Sequence, residues 1–221
     1  MSQEPRFGRM IPAMVTPFDE NRELDVDKVQ ALAARLVDGG SDSLIINGTT
    51  GESPTVFYPQ KIELFRAVVE AVGDRVPVIA NVGDNCTADT VDFAREVAEL
   101  GVDGFMCVVP YYNKPPQEGI YQHFRTIANA VELPIILYNI PGRCVVNMEA
   151  ETTLRLAREC ANVVAVKEAS GKLDQVKAIV EGAPEGFAVY SGDDAATFDI
   201  MRLGGAGVIS TIGNVAPARM K

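Results

Sequence analysis

In Asn162-Val-Val-Ala-Val-Lys-Glu-Ala-Ser170, apolar residues, three of them β-branched valines, run without a polar break and stop at a lysine. An apolar run that does not alternate suits a strand covered on both faces, as the strands of a parallel sheet are. Lys167 is out of place at the end of such a strand. A lysine amine in a partly apolar pocket loses solvation of its charged form, which lowers its pKa and leaves free amine to attack a carbonyl. Taken alone, Lys167 is more simply the first solvated residue of a loop. The rest of the chain decides between the two.

Working outward, short apolar runs bounded by turns recur at residues 10–15, 43–46, 76–81, 105–109, 134–138, 163–166, 187–190 and 208–211. Helical patterns fill the intervals, as at 59–72, where Ile62, Phe65, Val69 and Val72 share one face and Pro59 suits a first-turn position. Asp25 can cap a helix that ends at Gly39-Gly40, and Thr87 one that ends at Gly101. Repeated strand-helix units demand a parallel sheet, and eight of them make a (β/α)8, or TIM, barrel, here a single domain over residues 1–221. A doubly wound open sheet is the alternative, but no GxGxxG follows the first run. Only seven intervening helices fit. Asn214-Val-Ala-Pro-Ala-Arg219 opens an eighth that Lys221 cuts short, so a truncated form is expected, with the eighth helix and a C-terminal helical region largely missing.

Bulk properties narrow the function. At 221 residues and 47% hydrophobic content the chain can bury a full core. Its 30 acidic against 20 basic residues argue against nucleic acid or an anionic membrane surface as partner. With no apolar signal core at the N-terminus and no membrane-length apolar stretch, a cytoplasmic location is expected. Cys86, Cys107, Cys144 and Cys160 lack CxxC spacing and read as reduced, mostly buried small hydrophobes. The single histidine, His123, falls in a helical pattern with no second histidine to share a metal, so no metal site is expected. Gly204-Gly-Ala-Gly207 reads as a helix stop before a strand rather than the phosphate loop of a pyridoxal phosphate enzyme.

In a barrel, chemistry gathers where strands end. After the second run comes Asn47-Gly-Thr-Thr-Gly-Glu52, whose glycines allow close backbone approach while Thr49 and Thr50 offer amides and hydroxyls. The fourth is followed by Val109-Pro-Tyr-Tyr-Asn-Lys-Pro115, the fifth closes with Tyr138-Asn-Ile-Pro-Gly-Arg143, and the sixth with Lys167. An amine, a phenol, two threonine hydroxyls and a guanidinium at one barrel mouth form a toolkit for carbonyl condensation. Lys167 would attack a 2-keto acid, Tyr138 would move protons during imine formation, the Gly48–Thr50 backbone would hold the carboxylate and Arg143 would grip a second one.

Gly48-Thr-Thr-Gly-Glu52, Tyr111-Tyr-Asn-Lys-Pro115, Tyr138-Asn-Ile-Pro-Gly-Arg143, Val166-Lys-Glu-Ala169 and Ser191-Gly-Asp-Asp194 together resemble the dihydrodipicolinate synthase family of pyruvate-dependent class I aldolases, over the whole chain. The resemblance implies condensation of pyruvate with L-aspartate 4-semialdehyde to 4-hydroxy-tetrahydrodipicolinate, through a covalent pyruvate imine on Lys167 and with no other cofactor. It makes Tyr138, Thr49 and Tyr112 a proton relay, with Tyr112 reaching in from a neighbouring subunit of a dimer or tetramer. Thr50, Arg143, Gly192 and the carbonyl of Ile209 would meet substrate. N-acetylneuraminate lyases and 2-keto-3-deoxy sugar acid aldolases share the lysine chemistry. Arg143 and Thr49 favour the synthase, because the lyases typically carry an apolar residue and a serine there. A non-catalytic keto-acid-binding barrel is the reading from another class. The family's lysine-feedback pocket maps to Ser53, Lys61, Asn85, Asp89 and Tyr111. A cation at Lys61 would repel the ligand's ammonium, so weak inhibition is expected. The family also continues into helices beyond Lys221 that support assembly.

Overall fold

The computed structural model describes residues 4–221. Its elements run β1 (Met10–Pro12), α1 (Val26–Asp38), β2 (Leu44–Ile46), α2 (Tyr58–Val72), β3 (Val78–Asn81), α3 (Thr87–Ala98), β4 (Gly104–Val108) and α4 (Gln117–Ala130). They continue with β5 (Ile135–Asn139), a short α5 (Pro141–Cys144), α6 (Ala150–Glu159), β6 (Val163–Glu168), α7 (Leu173–Gly182), β7 (Ala188–Ser191), α8 (Thr197–Arg202), β8 (Gly207–Ser210) and α9 (Pro217–Met220). From β2 to β8 every strand pairs in parallel with the next, and β8 pairs in parallel with β1. An Ala13–Ile45 bridge, with the Met14 N–H donating to Ile45 O at 2.8 Å, joins β1 to β2 and closes the ring. The (β/α)8 barrel read from the sequence is the observed fold, with two short helical turns after β8 (Ile212–Asn214 and α9) where a full eighth helix would lie.

Side-chain alternation along the strands sorts the apolar residues into two layers. Ile11, Ile45, Ile79, Met106, Ile136, Tyr138, Ala165, Tyr190 and Ile209 fill the barrel interior. Their neighbours, such as Leu44, Val78, Phe105, Leu137 and Val166, face outward against the helices. The β5–β6 register shifts between Ile135 and Ile136, leaving Val164 unmatched, and this brings Tyr138 level with Lys167.

The helices follow their local signals with two corrections. Asp25 caps α1, its side chain accepting from the Lys28 N–H at 3.0 Å, and Gly39 ends it. Pro59 sits in the first turn of α2, but the buried stripe is Leu64, Phe65, Val68 and Val72, with Ile62 and Val69 on its flanks. Burial of each such side chain contributes about 1.5–3 kcal/mol. Thr87 does not cap α3. Cys86 occupies that position, and the Thr87 hydroxyl instead pairs with His123 Nδ1 at 2.8 Å. The first strand is shorter than its apolar run, because the Val15 N–H donates to the Asn214 side chain at 3.0 Å rather than to a neighbouring strand. Asn214 Nδ2 in turn donates to Ala13 O, tying the loop after β8 to the loop after β1.

His123 is buried in α4 against Phe124, and burial holds its pKa down at about 4. Cys107, Cys144 and Cys160 are buried, Cys86 is partly so, and all are free thiols. Among the described residues no helix is long and apolar enough to cross a membrane.

Candidate active site

Lys167 is the penultimate residue of β6 and points into the barrel mouth, paired in register with Tyr138 of β5 on one side and Tyr190 of β7 on the other. It is 6% exposed. Burial draws its pKa from the ordinary 10.5 to about 8; the Asp194 carboxylate opposes the fall and the Arg143 guanidinium reinforces it. The ammonium stands 4.3 Å from the centre of the Tyr138 ring, close enough for the ring face to offset part of the lost hydration. At neutral pH a measurable fraction of the amine is therefore free.

Tyr138 is likewise buried, which pushes its phenol up to about 12, while the Thr49 hydroxyl and the Arg143 charge work against the rise. A phenol with that affinity for its proton is neutral through the working range and can pass a proton on without ionising. Thr49 sits in the tight turn after β2. There the amides of Gly51, Glu52 and Ser53 close back on Gly48 O and Thr49 O, and those of Thr49 and Thr50 take no part. Arg143 rides on α5, which Pro141 starts directly after β5.

Gly192 follows β7 and its N–H donates to Glu168 O at 2.8 Å. A Cβ there would meet Ala169 Cβ at 2.7 Å and the Lys167 side chain at 3.2 Å, so glycine leaves the room that the lysine uses. Ile209 lies inside β8, its side chain filling the barrel interior. Asp194, in a motif that the sequence reading quoted without assigning it a role, accepts from Ser210 Oγ and from the Thr211 and Ile212 amides at 3.0 Å. It is the acid nearest in effect to Lys167.

Thr49, Tyr138 and Arg143 line a cavity of about 640 Å³ that extends outward past Ser53, Lys61, Asp84, Asp89 and Tyr111 to Tyr58 and Glu96. Four of the residues mapped to the feedback pocket thus share one chamber with Thr49, Tyr138 and Arg143, whereas Lys167 and Thr50 do not line it, and the fifth, Asn85, donates to Tyr111 O at 3.3 Å. Tyr111 itself is fixed by its hydroxyl, which donates to Asp84 at 3.0 Å. Burial lowers the Lys61 pKa, and Asp84 partly restores it. Tyr112 is not part of this assembly within one chain: it is 85% exposed, in a left-handed backbone conformation at φ 70°.

A parallel barrel with a desolvated lysine at a strand end, a neutral tyrosine against it and a guanidinium across the mouth is the arrangement of a Schiff-base lyase of the class I aldolase type. Residues 6–221 match the dihydrodipicolinate synthetase family, and the chain belongs to it. It is 57% identical to the 4-hydroxy-tetrahydrodipicolinate synthase of Moorella thermoacetica, an alignment that covers 98% of this chain and 74% of that one. With the enzyme of the same name from Bacillus subtilis it shares 49% identity over 97% of this chain and 74% of the relative. The structure superposes on the lysine-bound enzyme from Cyanidioschyzon merolae with a TM-score of 0.96 at 48% identity, covering 98% of this chain and 74% of that one. A dihydrodipicolinate synthase variant described as monomeric also matches, with a TM-score of 0.93 at 42% identity over 96% of this chain and 71% of that one.

Proposed function

We infer that this protein joins pyruvate to L-aspartate 4-semialdehyde to give 4-hydroxy-tetrahydrodipicolinate, in the diaminopimelate route to lysine. The observation that carries the reading is the buried Lys167 amine, lowered to about 8 and held against the Tyr138 ring. Free amine attacks the keto carbon of pyruvate, and loss of water leaves the imine. Tyr138 and Thr49 carry protons to and from the departing oxygen. The iminium acidifies the methyl group, and its deprotonation gives an enamine that bonds to the aldehyde carbon of the second substrate. That substrate's own amine then displaces Lys167 from the imine carbon, closing the ring and returning the free enzyme. Across the whole cycle one water is released.

The Thr49 and Thr50 amides, free of the turn's own bonds, suit the pyruvate carboxylate, Gly192 leaves room beside Lys167, and the Ile209 carbonyl would be a further substrate contact. Arg143 suits the carboxylate of the semialdehyde, which a sugar acid aldolase would not need in that place. Tyr112, exposed on one chain, completes the relay from a second copy in a homodimer or larger assembly. Ser53, Lys61, Asp89 and Tyr111 form the outer part of the chamber, with Asn85 bonded to Tyr111, and there Lys61 brings a cation of its own and leaves weak binding for free lysine.

Borohydride added with pyruvate should fix a reduced adduct on Lys167, seen by peptide mass, and Lys167→Ala should abolish it. A coupled assay with the semialdehyde should then show turnover. Saturating pyruvate without an adduct would remove the mechanism, and an adduct without turnover would leave a keto-acid-binding barrel.

A further inference from the structure

Glu168 immediately follows Lys167 on β6, so its side chain leaves the opposite face of the sheet and lies between barrel and helices, 1% exposed. A carboxylate buried so deeply needs a cation or a full set of donors. Among the described residues no ion pair reaches it, and the donors are all neutral. Gln175 Nε2 of α7 donates at 2.9 Å, Asn139 Nδ2 of β5 to both carboxylate oxygens at 3.1 and 3.2 Å, and the Ser170 amide at 2.8 Å.

The donors lead back to the site. Asn139 directly follows Tyr138, and it also closes the base of the loop that carries Arg143. Its Nδ2 donates to Asn147 Oδ1 at 3.0 Å, and its Oδ1 accepts from the Met148 amide at 2.9 Å. Asn147 Nδ2 then donates to Gln175 Oε1 at 2.8 Å, which returns the chain of bonds to Glu168. Because Glu168 only accepts, it sets the direction of every amide in this ring.

We propose that Glu168 is a positioning residue for the condensation. From outside the barrel, its carboxylate fixes the ends of β5 and β6 and the loop of α5, and so holds Tyr138, Lys167 and Arg143 in mutual register. This rests on the Schiff-base reading of Lys167. It assigns a task to a buried anion that the chemistry itself leaves unused.

Glu168→Gln keeps the size of the side chain but turns an NH₂ toward a ring of donors. The rate at which borohydride and saturating pyruvate label Lys167 should fall about 10- to 100-fold, the effect of displacing a reacting group by a fraction of an ångström to an ångström. Circular dichroism should stay that of a folded barrel. The double change Glu168→Gln with Gln175→Glu returns one carboxylate to the same ring and should recover most of the lost rate, which a purely structural defect would not allow. Gln175→Met removes one donor from the carboxylate and should slow labelling several-fold even if Glu168→Gln does not fold. Labelling at the wild-type rate in Glu168→Gln or in Gln175→Met would overturn the proposal, as would a folded double variant no faster than the single one. Absence of labelling in the unaltered protein would instead overturn the Schiff-base reading.

Discussion

Burying Lys167 costs the fold stability. Holding its pKa at about 8 against an ordinary 10.5 corresponds to roughly 3 kcal/mol of differential penalty on the ammonium form. Lys167→Met fills the same volume without the charge and should raise unfolding stability at pH 7 by about 1–3 kcal/mol while abolishing pyruvate labelling. The sign follows from proton binding. Between about pH 8 and 10.5 the unfolded lysine holds its proton and the folded one has lost it, so the native protein regains stability across that window as pH rises. The advantage of Lys167→Met in parallel denaturant titrations should therefore shrink from pH 7 to pH 10; an advantage that did not change with pH would mean that the folded amine is not depressed. Lys167 was legible because a charged residue closed an apolar run. Glu168 stood in the same stretch, and strict alternation on a buried strand placed it under the helices. Its side-chain partners Asn139 and Gln175, and the Asn147 that links them, come from separate segments that no local pattern joins.

At the scale of elements, backbone approach matters as much as side-chain packing. A Cβ on Gly207 would collide with the backbone of Arg9, where β8 lies against the start of β1. Backbone cannot step aside as a flexible side chain can, so Gly207→Ala should destabilise the barrel by about 1–3 kcal/mol or more. Chemical denaturation would measure the loss, and unchanged stability would show that the β1–β8 seam has slack. The strands themselves were readable from their apolar runs, since burial on both faces removes the polar alternation that would hide them. Their ends were not. Val15 leaves the first strand because an asparagine some two hundred residues away takes its amide, and Thr87 forgoes capping α3 because a histidine on α4 takes its hydroxyl. Local preference there yields to tertiary partners.

For the whole molecule, the relay proposed for Tyr112, which is exposed on one chain, would make catalysis a property of an assembly. Tyr112→Phe and Lys167→Ala homomers should each be weak or inactive, but mixing them under subunit exchange should restore activity, because one mixed site in each pair retains both residues. No recovery after demonstrated exchange would place the relay within one chain. The fold class was legible from the count of strands alone, whereas the chamber joining Tyr138 to Tyr58 depends on loops whose geometry no periodicity encodes. The Asn214 clamp and the β1–β8 pairing unite segments from opposite ends of the sequence. During synthesis on the ribosome, β1 must wait with an open hydrogen-bonding edge until β8 emerges. Closure of the ring is therefore a long-range event, and the nascent chain is exposed to wrong pairings until β8 has been made.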